Sequence, residues 1–231
     1  MNVVVTNNDG QSGALTNGYS YTSSSGGGPI RFVQVKAATP QTASASVAVT
    51  FTTAQTAGNL NIVAVGWNDT TSTVSGISDS RGNSYALALG PTSGTGLRQS
   101  IYYAKNIVGG SNTVTVTFNQ AAAFVDVRVL EYSGLDTVSP LDKTAGAAGS
   151  GTSASSGAAT TTSANELIFG AGMTTTHFTG AGSGFISRII TVPDADIAED
   201  QTVSSTGSYS ATAPATSSKW VMQIATFKAK P

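Results

Sequence analysis

Residues 58–88, GNLNIVAVGWNDTTSTVSGISDSRGNSYALA, decide the fold class of this chain. Short apolar or alternating segments recur there, and the Asn, Asp, Ser and Gly residues between them favour turns. The pattern predicts strands near residues 60–67, 74–79 and 84–89. No window of the chain has the apolar periodicity of an amphipathic helix. The stretch therefore indicates an all-β protein.

The same pattern extends over residues 30–231. We predict about 12 strands in a two-sheet antiparallel β-sandwich of jelly-roll type, with no substantial helix. Residues 145–163 are almost wholly Gly, Ala, Ser and Thr, and this composition predicts an exposed loop followed by a Thr-rich edge strand.

A weak internal repeat supports this layout. TTAQTAGNLNIVAVG (52–66) aligns with ATTTSANELIFGAGM (159–173), and VRVLEY (127–132) aligns with MQIATF (222–227). Each half thus opens with a turn and an apolar strand, and closes with a strand that ends in an aromatic residue. We predict a pseudo-repeat over about 47–132 and 155–228 within one sandwich domain.

Composition excludes several classes of function. The 231 residues include 11 Lys and Arg against 12 Asp and Glu, and the basic residues are scattered, so we expect no nucleic-acid binding. There is no Cys and a single His, His177, which excludes thiolate catalysis and Cys-based zinc sites. No apolar run reaches the ~20 residues that span a bilayer, so we expect no membrane insertion.

The first residues are predicted to form a separate hairpin. VVVTNNDGQSGALTNGYSYT (3–22) predicts two strands around an Asn-Asn-Asp-Gly turn, where Gly10 can take a positive φ. Ser and Gly dominate residues 23–29, a composition typical of a flexible linker. A domain boundary near residue 29 follows.

This hairpin resembles the C-terminal hairpin of IPT/TIG immunoglobulin-like domains. The Asn-x-Asp-Gly turn, the Leu-Thr-Asn-Gly run and the closing Tyr-x-Tyr-Thr carry the resemblance. It implies that residues 1–22 are the remnant of a preceding domain in a larger protein.

Residues 58–88, together with VLEYSGLD (129–136), resemble a jelly-roll-like domain that recurs in large secreted proteins of environmental bacteria. The resemblance covers residues 30–231. It implies an extracellular or cell-surface accessory role, with the export signal outside these residues. We expect a monomer within a multidomain chain.

Acidic residues form the first candidate site. Calcium prefers several hard oxygen ligands, and an Asp-x-Asp loop supplies them. The segment PDADIAED (193–200) is the most acidic of the chain, and a cation would relieve the repulsion within it. We therefore expect structural calcium, with the alternative of a solvated charged loop; the predicted ligands are Asp69, Asp194, Asp196, Glu199 and Asp200.

Aromatic residues form the second candidate site. A glycan-binding face needs exposed rings for the apolar faces of sugars, flanked by polar side chains for the hydroxyl groups. The alternative is that both Trp residues belong to the core. The predicted ligand-binding residues for a polysaccharide or cell-surface glycan are Trp67, Asn68, Tyr102, Tyr103 and Trp220.

A buried carboxylate is the third candidate. Alternation places Glu131 on the same strand face as Val127 and Val129, where burial is expected to raise its pKa as a general acid requires. In an enzyme, Glu199 of the acidic segment would supply the second carboxylate. The alternative is a structural Glu bonded to backbone groups or to an Arg. His177 is predicted to be a surface-loop residue, because no nucleophile motif accompanies it.

These patterns predict a non-catalytic extracellular β-sandwich module of a larger bacterial protein, either carbohydrate-binding or adhesive. Two alternatives remain on the same fold: a polysaccharide-active hydrolase or lyase, and a purely structural spacer.

Overall fold

A computed structural model describes residues 3–15 and 28–231 of the chain. These residues form 17 β-strands and no helix, so no helix in them could cross a membrane. The strands are β1 (Val3–Thr6), β2 (Ser12–Leu15), β3 (Arg31–Ala38), β4 (Ser44–Thr50), β5 (Leu60–Trp67), β6 (Val74–Asp79), β7 (Ala86–Ser93), β8 (Arg98–Ala104), β9 (Thr113–Ala122), β10 (Asp126–Ser133), β11 (Leu141–Ser155), β12 (Ala159–Thr160), β13 (Glu166–Thr174), β14 (Ile186–Ile190), β15 (Ile197–Val203), β16 (Ser208–Tyr209) and β17 (Thr212–Lys228).

Two paired strands lie within the predicted N-terminal hairpin. Strands β1 and β2 pair antiparallel, with Thr6 opposite Ser12. Gly10 has a φ of 83°, and its amide donates to the Asn7 carbonyl oxygen at 3.0 Å, which closes the turn. Residues 16–22 of the predicted hairpin and 23–27 of the predicted linker lie outside the described residues.

The strands form five antiparallel sheets. The first inner sheet has the order β3-β10-β5-β8-β7, and the second inner sheet has the order β11-β17-β13-β15-β14. A small outer sheet has the order β4-β9-β6, and two strand pairs, β1-β2 and β12-β16, complete the set. The all-β antiparallel class is therefore confirmed. The arrangement differs from the predicted 12 strands in two sheets.

The extra sheets arise because two layered units stack through their inner sheets. One apolar cluster, with Val63, Val116 and Val127, lies between the small outer sheet and the first inner sheet. A second cluster, with Leu130 and Phe169, lies between the two inner sheets. A third cluster, with Ile168, covers the other face of the second inner sheet, so both faces of β5 and of β13 are buried and their sequences are mostly apolar.

The two units have the same strand order. We call β3 to β10 the first half and β11 to β17 the second half; β3, β10, β5, β8 and β7 correspond to β11, β17, β13, β15 and β14. The registers also correspond, because Tyr132 lies opposite Leu60 and Phe227 lies opposite Leu167. Residues aligned by the sequence repeat therefore occupy equivalent positions in the two inner sheets.

The Gly- and Ala-rich segment corrects the expectation of an exposed loop. Residues 145–155 belong to β11, which pairs along β17. A Cβ atom on Gly149 would lie 2.5 Å from Cζ2 of Trp220, and one on Gly146 would lie 2.6 Å from Oγ1 of Thr92. Small residues are needed here because neighbouring groups pack directly against the strand backbone.

The chain enters and leaves the stacked sheets at one end, which we call the proximal end. There the Lys230 amide donates to the Gly134 carbonyl oxygen at 2.9 Å, and Gly134 also lies against the backbone of Gly28 and Pro29. Strands β5 and β13 run away from this end. At 3.3 Å per residue, a strand such as β13 spans about 26 Å. The connections at its far end form the distal end of the molecule.

Candidate functional site

A cavity of about 350 Å³ opens at the distal end, where four connections between strands meet. This volume is in the range of small-molecule sites. We call it the distal cavity; its lining residues are Asn68, Phe124, Thr174, Thr175, Thr176, His177, Pro193, Asp194 and Asp196.

Phe124 is the aromatic residue of the distal cavity. It lies between β9 and β10, where the chain passes from the small outer sheet to the first inner sheet, and its φ is 44°. Left-handed backbone is unfavourable for a residue with a bulky side chain. Phe124 is nevertheless 48% exposed, so burial of its ring does not offset that strain.

Asp69 holds the connection that carries Phe124. Its Oδ2 accepts from the Ala123 amide at 3.1 Å, and its Oδ1 accepts from the Thr71 and Ser72 amides. Burial opposes ionisation, but these hydrogen bonds outweigh it and hold the pKa of Asp69 below its ordinary value. Asp69 therefore positions the cavity wall, and its carboxylate is occupied by amide donors.

Two carboxylates enter the distal cavity from the turn between β14 and β15. Asp194 Oδ1 accepts from Gln41 Nε2 at 2.9 Å, and Asp196 Oδ1 accepts from the Thr174 amide at 2.9 Å. Ala195 between them has a φ of 56°, and its amide closes the turn on the Thr191 carbonyl oxygen. The turn thereby directs both side chains to one cavity.

A third carboxylate lies behind this pair. Asp126 is fully buried, and its Oδ1 lies 2.8 Å from Arg128 Nε. Burial and the Asp126 carboxylate raise the pKa of Asp196 well above its ordinary value, and Arg128 offsets this only in part. Burial likewise raises the pKa of Asp126 despite Arg128. The base of the distal cavity therefore favours a positive charge.

Arg128 also joins the two halves. From β10 it donates to the Gly172 carbonyl oxygen at 2.8 Å and to that of Ile197, both in the second half. Its Nη2 donates to Gln99 Oε1 at 2.9 Å. The equivalent residue of the second half, Gln223, donates to the Gln99 carbonyl oxygen at 2.9 Å. A buried polar belt thus crosses the interface between the inner sheets.

The predicted calcium ligands do not form one site. Glu199 and Asp200 are adjacent on β15 and point to opposite faces: Glu199 accepts from the Gly182 amide at 2.9 Å, and Asp200 accepts from Tyr132 and Arg188. No group of three or more His, Cys, Asp or Glu residues in the described part of the chain could hold a metal ion. Of the predicted set, Asp194 and Asp196 alone line the distal cavity.

The predicted aromatic platform is also corrected. Trp67 is 1% exposed and packs edge-on against Phe118 at 5.5 Å between ring centroids. Trp220 is buried over Gly149. Both Trp rings belong to the core because each lies between two layers, and the sequence does not reveal the second layer.

Tyr102 and Tyr103 point to opposite faces of β8, as predicted, but neither presents a free ring. Tyr102 packs against the cluster under the small outer sheet, and Tyr103 packs against the cluster between the inner sheets. Tyr103 meets Phe227 edge-on at 5.6 Å. Of the predicted glycan-binding residues, Asn68 alone lines the distal cavity.

The predicted catalytic pair does not converge. Glu131 lies on the strand face of Val127 and Val129, as predicted, and accepts from Gln34 Nε2, Asn59 Nδ2 and the Thr56 amide at 2.6 to 3.0 Å. Glu199 lies on the outer face of the second inner sheet, so both inner sheets separate the two carboxylates. The structural alternative for Glu131 is the one that the contacts support, with amide donors in place of an Arg.

Sequence reasoning missed Phe124 and the role of His177. Phe124 follows three Ala residues and precedes Val125, so it reads as part of an apolar strand. His177 is exposed on the connection after β13, as predicted, but it also lines the distal cavity. The exposed aromatic ring becomes recognisable only through the left-handed turn that carries it.

Comparison with protein-family models, curated proteins and solved structures finds no significant match. The resemblance to IPT/TIG domains and to jelly-roll-like domains of secreted bacterial proteins therefore stays a prediction. Function has to be argued from the distal cavity itself.

Proposed function

We propose that this chain is a non-catalytic extracellular β-sandwich module of a larger bacterial protein, and that it binds a polysaccharide or cell-surface glycan in the distal cavity. One observation carries the proposal: the half-exposed residue Phe124 stands at a cavity that is otherwise lined by Pro193 and by amide, hydroxyl, imidazole and carboxylate groups.

This combination suits a carbohydrate. The C–H face of a pyranose packs on an aromatic ring, and its hydroxyl groups exchange hydrogen bonds with polar side chains. Asn68 is exposed and offers both a donor and an acceptor, while Asp194 offers an acceptor. Of the other aromatic residues of the predicted site, Trp67 and Trp220 are buried in the cores, and Tyr102 and Tyr103 are half-buried on β8, outside the lining of the distal cavity.

The position of the cavity favours a binding role over a purely structural spacer. Residues 28–30 and 229–231 lie together at the proximal end, whereas the distal cavity lies at the far end of β5 and β13. A linear spacer is best served by chain ends at opposite poles. The observed arrangement instead places the first and last strands of the stacked sheets so that the chain enters and leaves them at the proximal end, away from the distal cavity.

We further propose that each half is a jelly roll. In the first half, β3, β10, β5 and β8 lie side by side in one sheet and β4, β9 and β6 in the other. If the strands of this half are counted from one to eight, the orders are first-eighth-third-sixth-fifth and second-seventh-fourth; the fifth strand, β7, departs from a regular jelly roll because it pairs with β8 and not with β6. Such interleaving of early and late strands is the pattern produced by a jelly roll's paired Greek keys.

A glycan-array screen followed by calorimetry tests the binding proposal. Phe124→Ala is expected to weaken the affinity for a captured glycan roughly tenfold, since one aromatic contact contributes about 1 to 1.5 kcal/mol. Leu87→Ala is the matched control, because Leu87 is 49% exposed but lies on β7, away from the cavity lining. Absence of any captured glycan, or equal losses in both variants, would refute the proposal.

A further inference from the structure

We infer that the distal cavity selects a saccharide that carries a protonated amine, an amino sugar with a free ammonium group. This inference rests on the proposed function and names the substrate class of the same site. It starts from two carboxylate oxygen atoms that lack a donor. Asp194 Oδ2 is buried without a hydrogen-bond partner, and no described residue donates to Asp196 Oδ2, although Asp196 is 2% exposed.

The cavity holds no positive side chain to pair with these atoms. Its described lining contains neither Lys nor Arg. Arg128, which donates to the carbonyl oxygen of Ile197 next to Asp196, is already ion-paired with Asp126 and hydrogen-bonded to Gln99 and to two backbone carbonyl oxygens. A neutral ligand would therefore leave Asp194 and Asp196 without a cation, and the raised pKa of Asp196 shows that its carboxylate form needs one.

The fold itself does not require these acids. By the equivalence of the two halves, Asp126 corresponds to Val221, which packs in an apolar cluster with Leu97 and Met173. Asp196 corresponds to Gln99, whose amide is bonded to Ala171 and Gln223. Buried carboxylates cost free energy unless a partner compensates them. These acids occur at the distal cavity and are absent from the equivalent positions of the other half. We take this difference to mean that a ligand supplies the compensating positive charge.

An ammonium group of a sugar fits both parts of the cavity. It can donate charge-assisted hydrogen bonds to Asp194 and Asp196, and the face of Phe124 attracts a cation. The same sugar ring supplies the apolar face for which the proposed function needs Phe124. An N-acetylated sugar keeps the ring but loses the charge, so it is the natural comparison ligand.

Calorimetry with three oligosaccharides of equal length tests this inference near neutral pH, where most of the amine is protonated and the acids of the cavity are less protonated than in acidic buffer: a glucosamine oligomer, an N-acetylglucosamine oligomer and a glucose oligomer. The glucosamine oligomer is expected to bind at least tenfold tighter than the other two, and salt is expected to weaken this preference. Asp194→Asn should abolish the preference. Asp136→Asn, which removes one charge at the proximal end, should leave it unchanged.

The outcomes separate the two proposals. Equal affinity for all three oligomers would overturn the charge preference and leave glycan binding in place. No binding of any oligomer, together with an empty glycan array, would overturn the proposed function as well. Saturable binding of calcium that Asp194→Asn removes, without any preference for the amine, would overturn the inference and assign the cavity to a metal ion.

Discussion

The two halves of this molecule share a strand order and a register but differ in what they bury. Where the first half places Asp126 and Arg128 on β10, the second half places Val221 and Gln223 on β17. The second half shows that the same strand arrangement forms with an apolar residue and a neutral amide at these two positions. The charged pair of the first half therefore reflects the distal cavity that it supports.

The halves also differ in how the chain crosses between layers. In the second half, β17 runs as one strand from its outer to its inner part, although its register against β11 shifts between Gly151 and Ser153. In the first half, the corresponding path is interrupted between β9 and β10, and the interruption carries Phe124. Both special features of the first half, the buried charges and the exposed ring, thus meet at the distal end.

The largest expected loss of stability comes from replacing Arg128, whose equivalent in the second half is the neutral Gln223. Arg128→Gln should destabilise the protein by about 3 to 5 kcal/mol, because it leaves Asp126 buried without its partner. The double variant Asp126→Val with Arg128→Gln copies the second half and should recover much of that loss. Urea unfolding measures both free energies of unfolding. A double variant no more stable than Arg128→Gln would contradict the equivalence of the halves.

Glu199 tests a second difference, because its equivalent in the first half is Tyr102. Burial raises the pKa of Glu199 from 4.5 to about 7. A raised carboxyl pKa means that stability is greatest at acid pH and falls as pH rises between these two values. Glu199→Gln should remove this fall and stabilise the protein above neutral pH by up to about 3 kcal/mol. Parallel pH profiles for both proteins would contradict this account.

Glu131 is expected to contribute more to stability than its equivalent in the second half, Thr226. Glu131→Gln places an NH2 group among the donors of Gln34, Asn59 and Thr56, so we expect a loss of about 2 kcal/mol. Thr226→Val removes one acceptor, for the Lys143 amide, and should cost about 1 kcal/mol. Thermal or urea unfolding measures both. If Glu131→Gln unfolds like the parent protein, the carboxylate is not the acceptor that these contacts describe.

The smallest effect concerns the interruption at Phe124. Phe124→Gly should stabilise the protein by about 1 kcal/mol, because Gly adopts positive φ without strain. The equivalent position in the continuous strand is Lys219, where Gly should instead destabilise by about 0.5 to 1 kcal/mol. If Gly changed the stability in the same direction at both positions, the backbone at Phe124 would not differ from that of β17 at Lys219 as described.

Sequence periodicity was sufficient for most strands and for the repeat. Strands such as β5 and β6 have the predicted bounds, because alternation and turn residues mark them clearly. Strand β11 is not predicted, because its Gly and Ala residues show no alternation of apolar and polar side chains. Small residues are needed there because Trp220 packs directly against the strand backbone. The number of layers was missed for a related reason: a sheet buried on both faces has no polar face to reveal its orientation.

The candidate site was predictable only in part. Asn68, Asp194 and Asp196 were named from composition and turn context, and all three line the distal cavity. Trp67 was expected to be exposed because it ends a strand next to polar residues, yet the small outer sheet covers it. Phe124 could not be singled out, since its exposure depends on a left-handed backbone that no neighbouring Gly or Pro signals.

Backbone amide shifts recorded by NMR during titration with the glucosamine oligomer test the central claim most directly. This claim is that one of two equivalent distal places has become a ligand site. The account predicts the largest shift changes at Asn68, Phe124, His177 and Asp194, with little change at the apolar counterpart formed by Leu97 and Val221. Changes centred on that counterpart or on the proximal end, or none at a saturating concentration, would contradict it.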